Sequence, residues 1–292
     1  MSLMNFIPEL WSAKIQMNAQ KNLVYAGVCN TDYESDLAYG NRIKISSIGA
    51  ITVSDYVPGT SSLTYAPLQA SSLWLDVNQQ KEFDFAVDDI HKVQANADLI
   101  GAATTDAAYR IKDAVDTYIA GKYTDAGVKT SLGTDAAPLT VTSADTSGSN
   151  TGILEFLGLV NEKLTMNNCP SDGRWIVVPP WMATKIIKAN ISITSVSTQE
   201  TATVAGYVAK ILGLTVLVSN NVQYGSGGSS TTKSKILAGI NQSISVAMQI
   251  NSVETLRLQS RFETGVRGLC VFGAKVVRPD YLACATASYA AG

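Results

Sequence analysis

Lys81-Glu82-Phe83-Asp84-Phe85-Ala86-Val87-Asp88-Asp89-Ile90-His91-Lys92-Val93-Gln94, running on to Ala120-Gly121-Lys122-Tyr123, is the stretch whose reading decides the fold. Phe83, Phe85 and Val87 alternate with polar residues, the period of a half-buried strand. Beyond the Asp88-Asp89 pair the period changes. Ile90, Val93, Ala97, Ile100, Ala108, Ile111, Val115, Tyr118 and Ile119 recur at three- and four-residue steps, on one side of a helix with no interior proline. Asp88 or Asp89 stands where an N-cap carboxylate accepts backbone N–H groups that the first turn leaves unpaired. Some thirty helical residues make a rod of roughly 45 Å. The reading is therefore a strand feeding one unbroken spine helix over residues 90 to 120, with the remaining parts attached to it.

Upstream, residues 4 to 35 join a short amphipathic piece, Ile7 to Leu23, to the polar run Asn30 to Ser35, as an arm would. Asn41 to Ile48 and Ala50 to Val57 alternate around Gly49, Pro58-Gly59-Thr60-Ser61-Ser62 makes a turn-rich tip, and Leu73 to Val77 returns. This predicts a long hairpin. It carries little apolar surface of its own, and an isolated hairpin is at best marginally stable in water, so it must lean on something else.

Downstream, the Thr/Ser/Asp/Gly-rich 129–151 reads as a loop and a change of module. Helices are predicted from Ile153 to Leu164 and from Trp181 to Lys188, around a strand Trp175 to Val178. A third helix, Ala205 to Leu212, is predicted to end on a Gly213 cap before strand Thr215 to Val218. Tyr224 to Thr232 is a surface loop, and Lys235 to Gly239 a buried strand. The last fifty residues predict a short helical piece, Ile244 to Ile250, then strands Glu254 to Arg261 and Val266 to Val277, the latter ending before Pro279.

Composition narrows the class. The chain has 292 residues, 46% of them apolar, enough for one large domain or two moderate ones with an ordinary core. A formal charge of −2 argues against a dedicated nucleic-acid binder, whose footprint is strongly basic. Cys29, Cys169, Cys270 and Cys284 are scattered and form no C-x-x-C, so buried reduced thiols are expected. No secretory signal and no run of membrane-spanning length is visible, which predicts a cytoplasmically made protein.

Candidate chemistry is sparse. His91 is the single histidine, so a nucleophile–histidine pair must be built around it, and a first-turn packing or surface role is the simpler reading. Asp88 and Asp89 are explained by the helix dipole. Gly225 to Gly228 lacks the G-K-[ST] that grips a phosphate and its magnesium. Asp106, Asp113 and Asp116 have no His or Cys partners and read as solvated helix charge. Arg257, Arg261, Arg267, Lys275 and Arg278 cluster near the C-terminus, diluted by Glu254, Glu263 and Asp280, and suit either phosphate or a neighbouring subunit. No catalytic, cofactor-binding or metal-ligating residue is assigned, and no cofactor is expected.

The order arm, hairpin, spine, inserted α/β module and returning strands resembles the major capsid (coat) proteins of tailed bacteriophages, the Hong Kong 97-type shell fold. Local sequences similar to that family are Phe6 to Ser12, Gly40 to Ile45 with Val53 to Tyr56, Phe85 to Ile90, Trp175 to Pro180, and Val266 to Leu269 with Gly273 to Pro279. They follow the family's order and span nearly the whole chain.

The resemblance implies an α+β fold and a structural, non-enzymatic role: a phage or prophage capsid protein that self-assembles into an icosahedral head around double-stranded DNA. It implies an N-terminal arm over 1–35, an extended hairpin loop over 36–80, a peripheral domain from 81–128 and 241–292, and an axial domain over 129–240. The implied partners are copies of the chain in hexamers and pentamers, a separate scaffolding protein, a portal, and packaged DNA touched weakly and without sequence specificity. No membrane partner is implied. The implied location is the virion, after synthesis in the bacterial host's cytoplasm. No lysine–asparagine crosslinking pair is expected. The near alternative is an encapsulin-type bacterial compartment shell, and a more distant one is a β-rich surface or adhesin module, against which the missing signal peptide speaks.

Overall fold

The computed structural model describes residues 23–34, 41–48, 51, 53, 55, 58, 70–88, 99–143, 150–189, 207–229, 231–258 and 262–290. The N-terminal amphipathic piece, Asp89, His91 and Arg261 lie outside them.

Strands β1 (Arg42–Ile48) and β2 (Ala70–Asp76) pair antiparallel, Ile43 opposite Leu75 and Lys44 opposite Trp74. This is the expected hairpin, although its return strand pairs directly with residues 42–48. Strand β3 (Gln79–Asp88) follows, with Phe83, Phe85 and Val87 on one face. The spine helix α1 is unbroken over Leu99–Ala120, about 33 Å at 1.5 Å per residue. Asp88 is the last residue of β3, opposite Glu263, and the sequence-derived start at 90 falls outside the described residues. Gly121 turns α1 into a 3-10 turn through Asp125.

Beyond the spine come β4 (Leu139–Thr142), β5 (Asn150–Gly152), α2 (Ile153–Met166), β6 (Trp175–Val178) and α3 (Pro180–Lys188). Then follow β7 (Tyr207–Ile211), β8 (Leu214–Val218), β9 (Gln223–Tyr224) and β10 (Ser234–Gly239). The long strands β11 (Ile244–Arg257) and β12 (Glu263–Val276) precede β13 (Leu282–Tyr289). A large sheet has the order β5-β4-β13-β10-β6-β8-β7, with β9 against β10, and a second sheet has the order β11-β12-β3.

The large sheet is buried on both faces: every residue of β6 and β10 and the first six of β13 are buried. Ile176, Val178, Ile236, Ala238, Ala283 and Ala285 meet Phe156, Leu157 and Val160 of α2 and Met182 and Ile186 of α3. The alternate residues Trp175, Val177, Leu237, Leu282 and Cys284 meet Val115 and Ile119 of α1 and Phe272 of β12. Helix α2 buries Ile153, Phe156, Leu157, Val160 and Leu164, one stripe at helical spacing.

Three expectations are corrected. Residues 205–212 form no helix where described: β7 and β8 are a hairpin whose turn residues Leu212 and Gly213 both have positive φ, 50° and 81°. Gly213 thus serves a two-residue hairpin turn of the kind that matches strand twist, not a helix cap. Residues 244–250 are strand: Ile244, Val246 and Met248 alternate with Ser245, Ala247 and Gln249, and β12 supplies the pairing. The 129–151 loop contains β4 and β5, which extend the large sheet in parallel. Within 241–292, β11 and β12 belong to the second sheet, and β13 lies in the large sheet between β4 and β10.

Candidate functional site

The second sheet is covered differently on its two sides. On one, α1 packs Val115 and Ile119 against Cys270, Phe272 and Ala274, with Tyr118 edge-on to Phe272 at 5.6 Å between centroids. On the other, the β1–β2 ribbon seats Ile43, Ile45, Leu75 and Val77 over Ala247 and Val271. Gly273 makes this seating possible. A Cβ there would lie 2.2 Å from the Asp76 carbonyl oxygen and 2.9 Å from the Val77 Cα.

The ribbon's outer face is unlike its inner one. Arg42 pairs with Asp76 at 2.7 Å, and the Lys44 ammonium sits 5.9 Å from the centre of the Trp74 ring. Trp74 is 49% exposed, and further along the loop Ile51 is 76% and Val53 92% exposed. Large apolar side chains in solvent on an extended ribbon mark an interaction surface.

The base of the arm is held by one carboxylate. Asp116 is fully buried on α1. Its Oδ1 accepts the Tyr25 N–H at 2.7 Å and the Ala26 N–H at 3.3 Å, and its Oδ2 accepts the Asn221 side-chain amide at 3.1 Å. That amide also donates to Asp113 at 2.8 Å. Arm, spine and large sheet therefore meet at Asp116. Burial raises its pKa above the usual carboxylate range, and the donated hydrogen bonds oppose that rise. Asn30 then binds the start of β11, donating to the Ile244 carbonyl and accepting the Val246 N–H, both at 2.9 Å.

Reading Asp116 as solvated charge is thus corrected. Asp106 forms a surface pair with Arg110 at 3.3 Å, as expected of helix charge. Gly225 to Gly228 form a turn in which Gly225 abuts the Asp135 side chain. Of the C-terminal basic residues, Arg267 pairs with Glu254 at 2.7 Å, whereas Arg278 stacks on Tyr281. All four cysteines are buried and unpaired, and burial pushes the Cys29 thiol up to about 12 and Cys284 to about 11. Among the described residues no three His, Cys, Asp or Glu groups converge as metal ligands.

Arg174 and Lys235, two of the three cations buried among the described residues, have no signal in the sequence. Arg174 donates to the Pro170 carbonyl (2.7 Å), the Cys169 carbonyl, Thr165 Oγ1 (2.9 Å) and Asn161, and so ties off the C-terminal end of α2. Lys235 lies 2.5 Å from Asp135 and donates to Thr286 Oγ1 at 2.9 Å, holding the 130–137 turn to the large sheet. Neither belongs to a motif. Their partners are backbone carbonyls and residues distant in sequence, which periodicity does not reveal.

Comparison with known proteins bears on these surfaces. The family model described as phage capsid protein matches residues 75–287, a span containing α1, the whole β11-β12-β3 sheet and all but the last two residues of the large sheet. The chain belongs to the phage capsid protein family. A chain of Mycobacterium phage Che8 is 28% identical, with a TM-score of 0.76 over 97% of this chain and 98% of that one. The capsid of cyanophage P-SCSP1u is 15% identical, with a TM-score of 0.73 over 99% and 95%. That of Ralstonia phage GP4 is 14% identical, with a TM-score of 0.66 over 98% and 96%. The last two likenesses concern the fold alone. No curated protein sequence matches significantly.

The capsid subunit is thus a structural major capsid protein of a tailed phage head with the Hong Kong 97-type fold, and its place is the virion. The match favours this over the encapsulin-type compartment. It assembles with its own copies into an icosahedral shell. Among the described residues no helix is long and apolar enough to cross a membrane.

Proposed function

We propose that the subunit is a non-catalytic shell tile that forms hexamers and pentamers, with a separate scaffolding protein guiding assembly and a portal at one vertex. Packaged double-stranded DNA touches its inner surface weakly and without sequence specificity, in keeping with a formal charge of −2. Residues 1–35 act as the arm, 36–80 as the extended loop across a neighbour, 81–128 with most of 241–281 as the peripheral domain, and 129–240 with β13 as the axial domain.

The observation that carries this reading is the two-faced ribbon, sealed on its own sheet by Ile43, Ile45 and Leu75 while Trp74, Ile51 and Val53 stand in solvent. A surface of that kind is completed by another copy, so assembly supplies part of the core. Negative-stain microscopy and sedimentation of the chain expressed alone, and together with its gene neighbours, test it. Shells of uniform diameter only in the second case are expected. Efficient shells from the chain alone would remove the scaffolding protein from the proposal, and turnover of a substrate that is lost on changing His91 would remove the non-catalytic role.

A further inference from the structure

The turn between α2 and β6 holds the chain's single Asp-Gly step, Asp172-Gly173, and the chain has no Asn-Gly. Pro170, Ser171, Asp172 and Gly173 are exposed. Arg174, 3% exposed, closes the turn by donating to the Cys169 and Pro170 carbonyls. Gly173 takes φ 69°, a conformation that favours glycine, and nothing lies within 4 Å of the position a Cβ would occupy there. Its N–H donates to Asp172 Oδ1 at 3.0 Å. The side-chain carboxyl group therefore lies against the one backbone nitrogen that can close a five-membered ring with it.

We propose that Asp172-Gly173 is a site of spontaneous isoaspartate formation in the folded subunit. The carboxyl group reacts in its protonated form. The Gly173 nitrogen attacks Asp172 Cγ and forms the N–Cγ bond, while the carboxyl hydroxyl and the amide proton leave together as water; the product is a cyclic imide. Water then opens the imide. Cleavage between the nitrogen and Cγ restores aspartate, whereas cleavage between the nitrogen and the Asp172 main-chain carbonyl carbon leaves the backbone running through Cγ. No oxidant or second reactant is needed, since the water lost in the first step is regained in the second. Holding nucleophile and carbonyl carbon together removes much of the entropic cost of their encounter, and glycine presents no side chain to block the approach.

The isoaspartyl backbone is longer by a methylene carbon, and that carbon falls inside the turn that Arg174 closes. Arg174 also donates to Asn161 and to Thr165 Oγ1, the latter at 2.9 Å. Lengthening the turn therefore loosens the tie between the end of α2 and the start of β6. The net charge does not change, but the free carboxylate now leaves the main chain directly at Cα. A shell subunit is not replaced once assembled, so the change accumulates with the age of the particle. The chemistry itself does not depend on the shell reading.

The test holds the full chain for weeks at physiological temperature and neutral pH and digests it with trypsin, which releases residues 164–174 as one peptide. Isoaspartate at Asp172 appears there as a second chromatographic peak of identical mass that accepts a methyl group from an isoaspartyl carboxyl methyltransferase. Deamidation of Asn167 or Asn168 instead changes the mass. Isoaspartate at Asp172 is expected at least tenfold above that at any other aspartate of the chain, and at a rate within about tenfold of that in the free 164–174 peptide. Asp172→Glu, whose longer side chain closes a larger ring far more slowly, is expected to lower the product at least tenfold, and Asp172→Asn, with ammonia as leaving group, to raise it. Both changes fall at an exposed position. A level at Asp172 no higher than elsewhere would overturn the proposal. So would a folded-chain rate more than tenfold below the peptide's, which would show the turn protecting the step. The aged subunit is expected to unfold a few degrees below the fresh one, with no such loss in Asp172→Glu aged in parallel; an equal loss in both would overturn the effect assigned to Arg174.

Discussion

Replacing Gly273 with alanine tests how the ribbon is seated. The added Cβ would stand 2.2 Å from the Asp76 carbonyl oxygen and 2.9 Å from the Val77 Cα, more than an ångström inside ordinary contact with the first. Both atoms are backbone, so no rotamer change relieves the clash. Two responses compete. If the ribbon stays seated, the strain of overpacking is about 1–3 kcal/mol. If it lifts, Ile43, Ile45, Leu75 and Val77, each under 7% exposed, return to water at about 1.5–3 kcal/mol apiece. Lifting costs more, so Gly273→Ala should keep the ribbon in place, strained, with an unfolding temperature a few degrees lower. A bulkier Gly273→Val should tip the balance and expose residues 42–48 and 70–77 to hydrogen exchange while the large sheet stays protected. Gly121→Ala is the control, because nothing lies within 4 Å of its Cβ position. Thermal unfolding with exchange mass spectrometry reads both effects. A Gly273→Val protein with native unfolding temperature and native ribbon protection would refute the reasoning.

Asp116 has a raised folded-state pKa, so the folded chain holds this proton more tightly than the unfolded one. Its linkage contribution is then fully present below the unfolded value and is lost as pH rises through the folded one. Urea unfolding from pH 3.5 to 8 should show the unsubstituted protein losing stability against Asp116→Asn across that window, and a pH-independent difference would contradict it. Leu212 sits at φ 50° in the β7–β8 turn; Leu212→Asn should stabilise by about 0.5–1 kcal/mol, since Asn tolerates that conformation, as measured by unfolding midpoint. Arg174→Ala strips hydrogen bonds from carbonyls at the end of α2 and should cost about 2–4 kcal/mol, whereas a midpoint shift below about a degree would show those groups finding water. The four buried thiols should resist a thiol reagent in the native subunit and all react in denaturant; rapid native labelling of Cys29 or Cys284 would contradict their burial.

What was legible in the sequence was periodic. The period-two alternation of Phe83, Phe85 and Val87 and the apolar stripe of α2 produced elements of the expected type. Failures have physical causes. Residues 244–250 alternate with period two, but the run is short, so helix and strand look alike until β12 pairs with it. At 205–212 a glycine after an apolar run reads as a helix stop, because the positive φ of the non-glycine residue before it, Leu212, leaves no mark in sequence. Strand β13 contains mostly alanine and polar residues, Leu-Ala-Cys-Ala-Thr-Ala-Ser-Tyr. Small side chains are what its central position demands, with helices on one face and the spine on the other, and they blunt a hydrophobicity signal. Asp116 was missed for a related reason: its burial is created by Tyr25 and Asn221, about a hundred residues away on either side.

The ribbon shows how one short segment serves both the fold and the shell. In β1 and β2 side chains alternate between faces, so the same seven-residue strands hold Ile43, Ile45 and Leu75 inward and Arg42, Lys44 and Trp74 outward. A slip of one residue would exchange the two sets, placing charges over Val271 and apolar side chains in solvent. The subunit's own core therefore selects the register, and by selecting it presents the outer face in a defined pattern before any neighbour arrives. Gly273 reinforces this, because only a residue without a Cβ lets Asp76 and Val77 approach closely enough to fix the ribbon's height above the sheet. Stability of the subunit and geometry of its contacts are consequently coupled through a single alternation, and changes on the inner face should alter assembly even though they touch no neighbouring subunit.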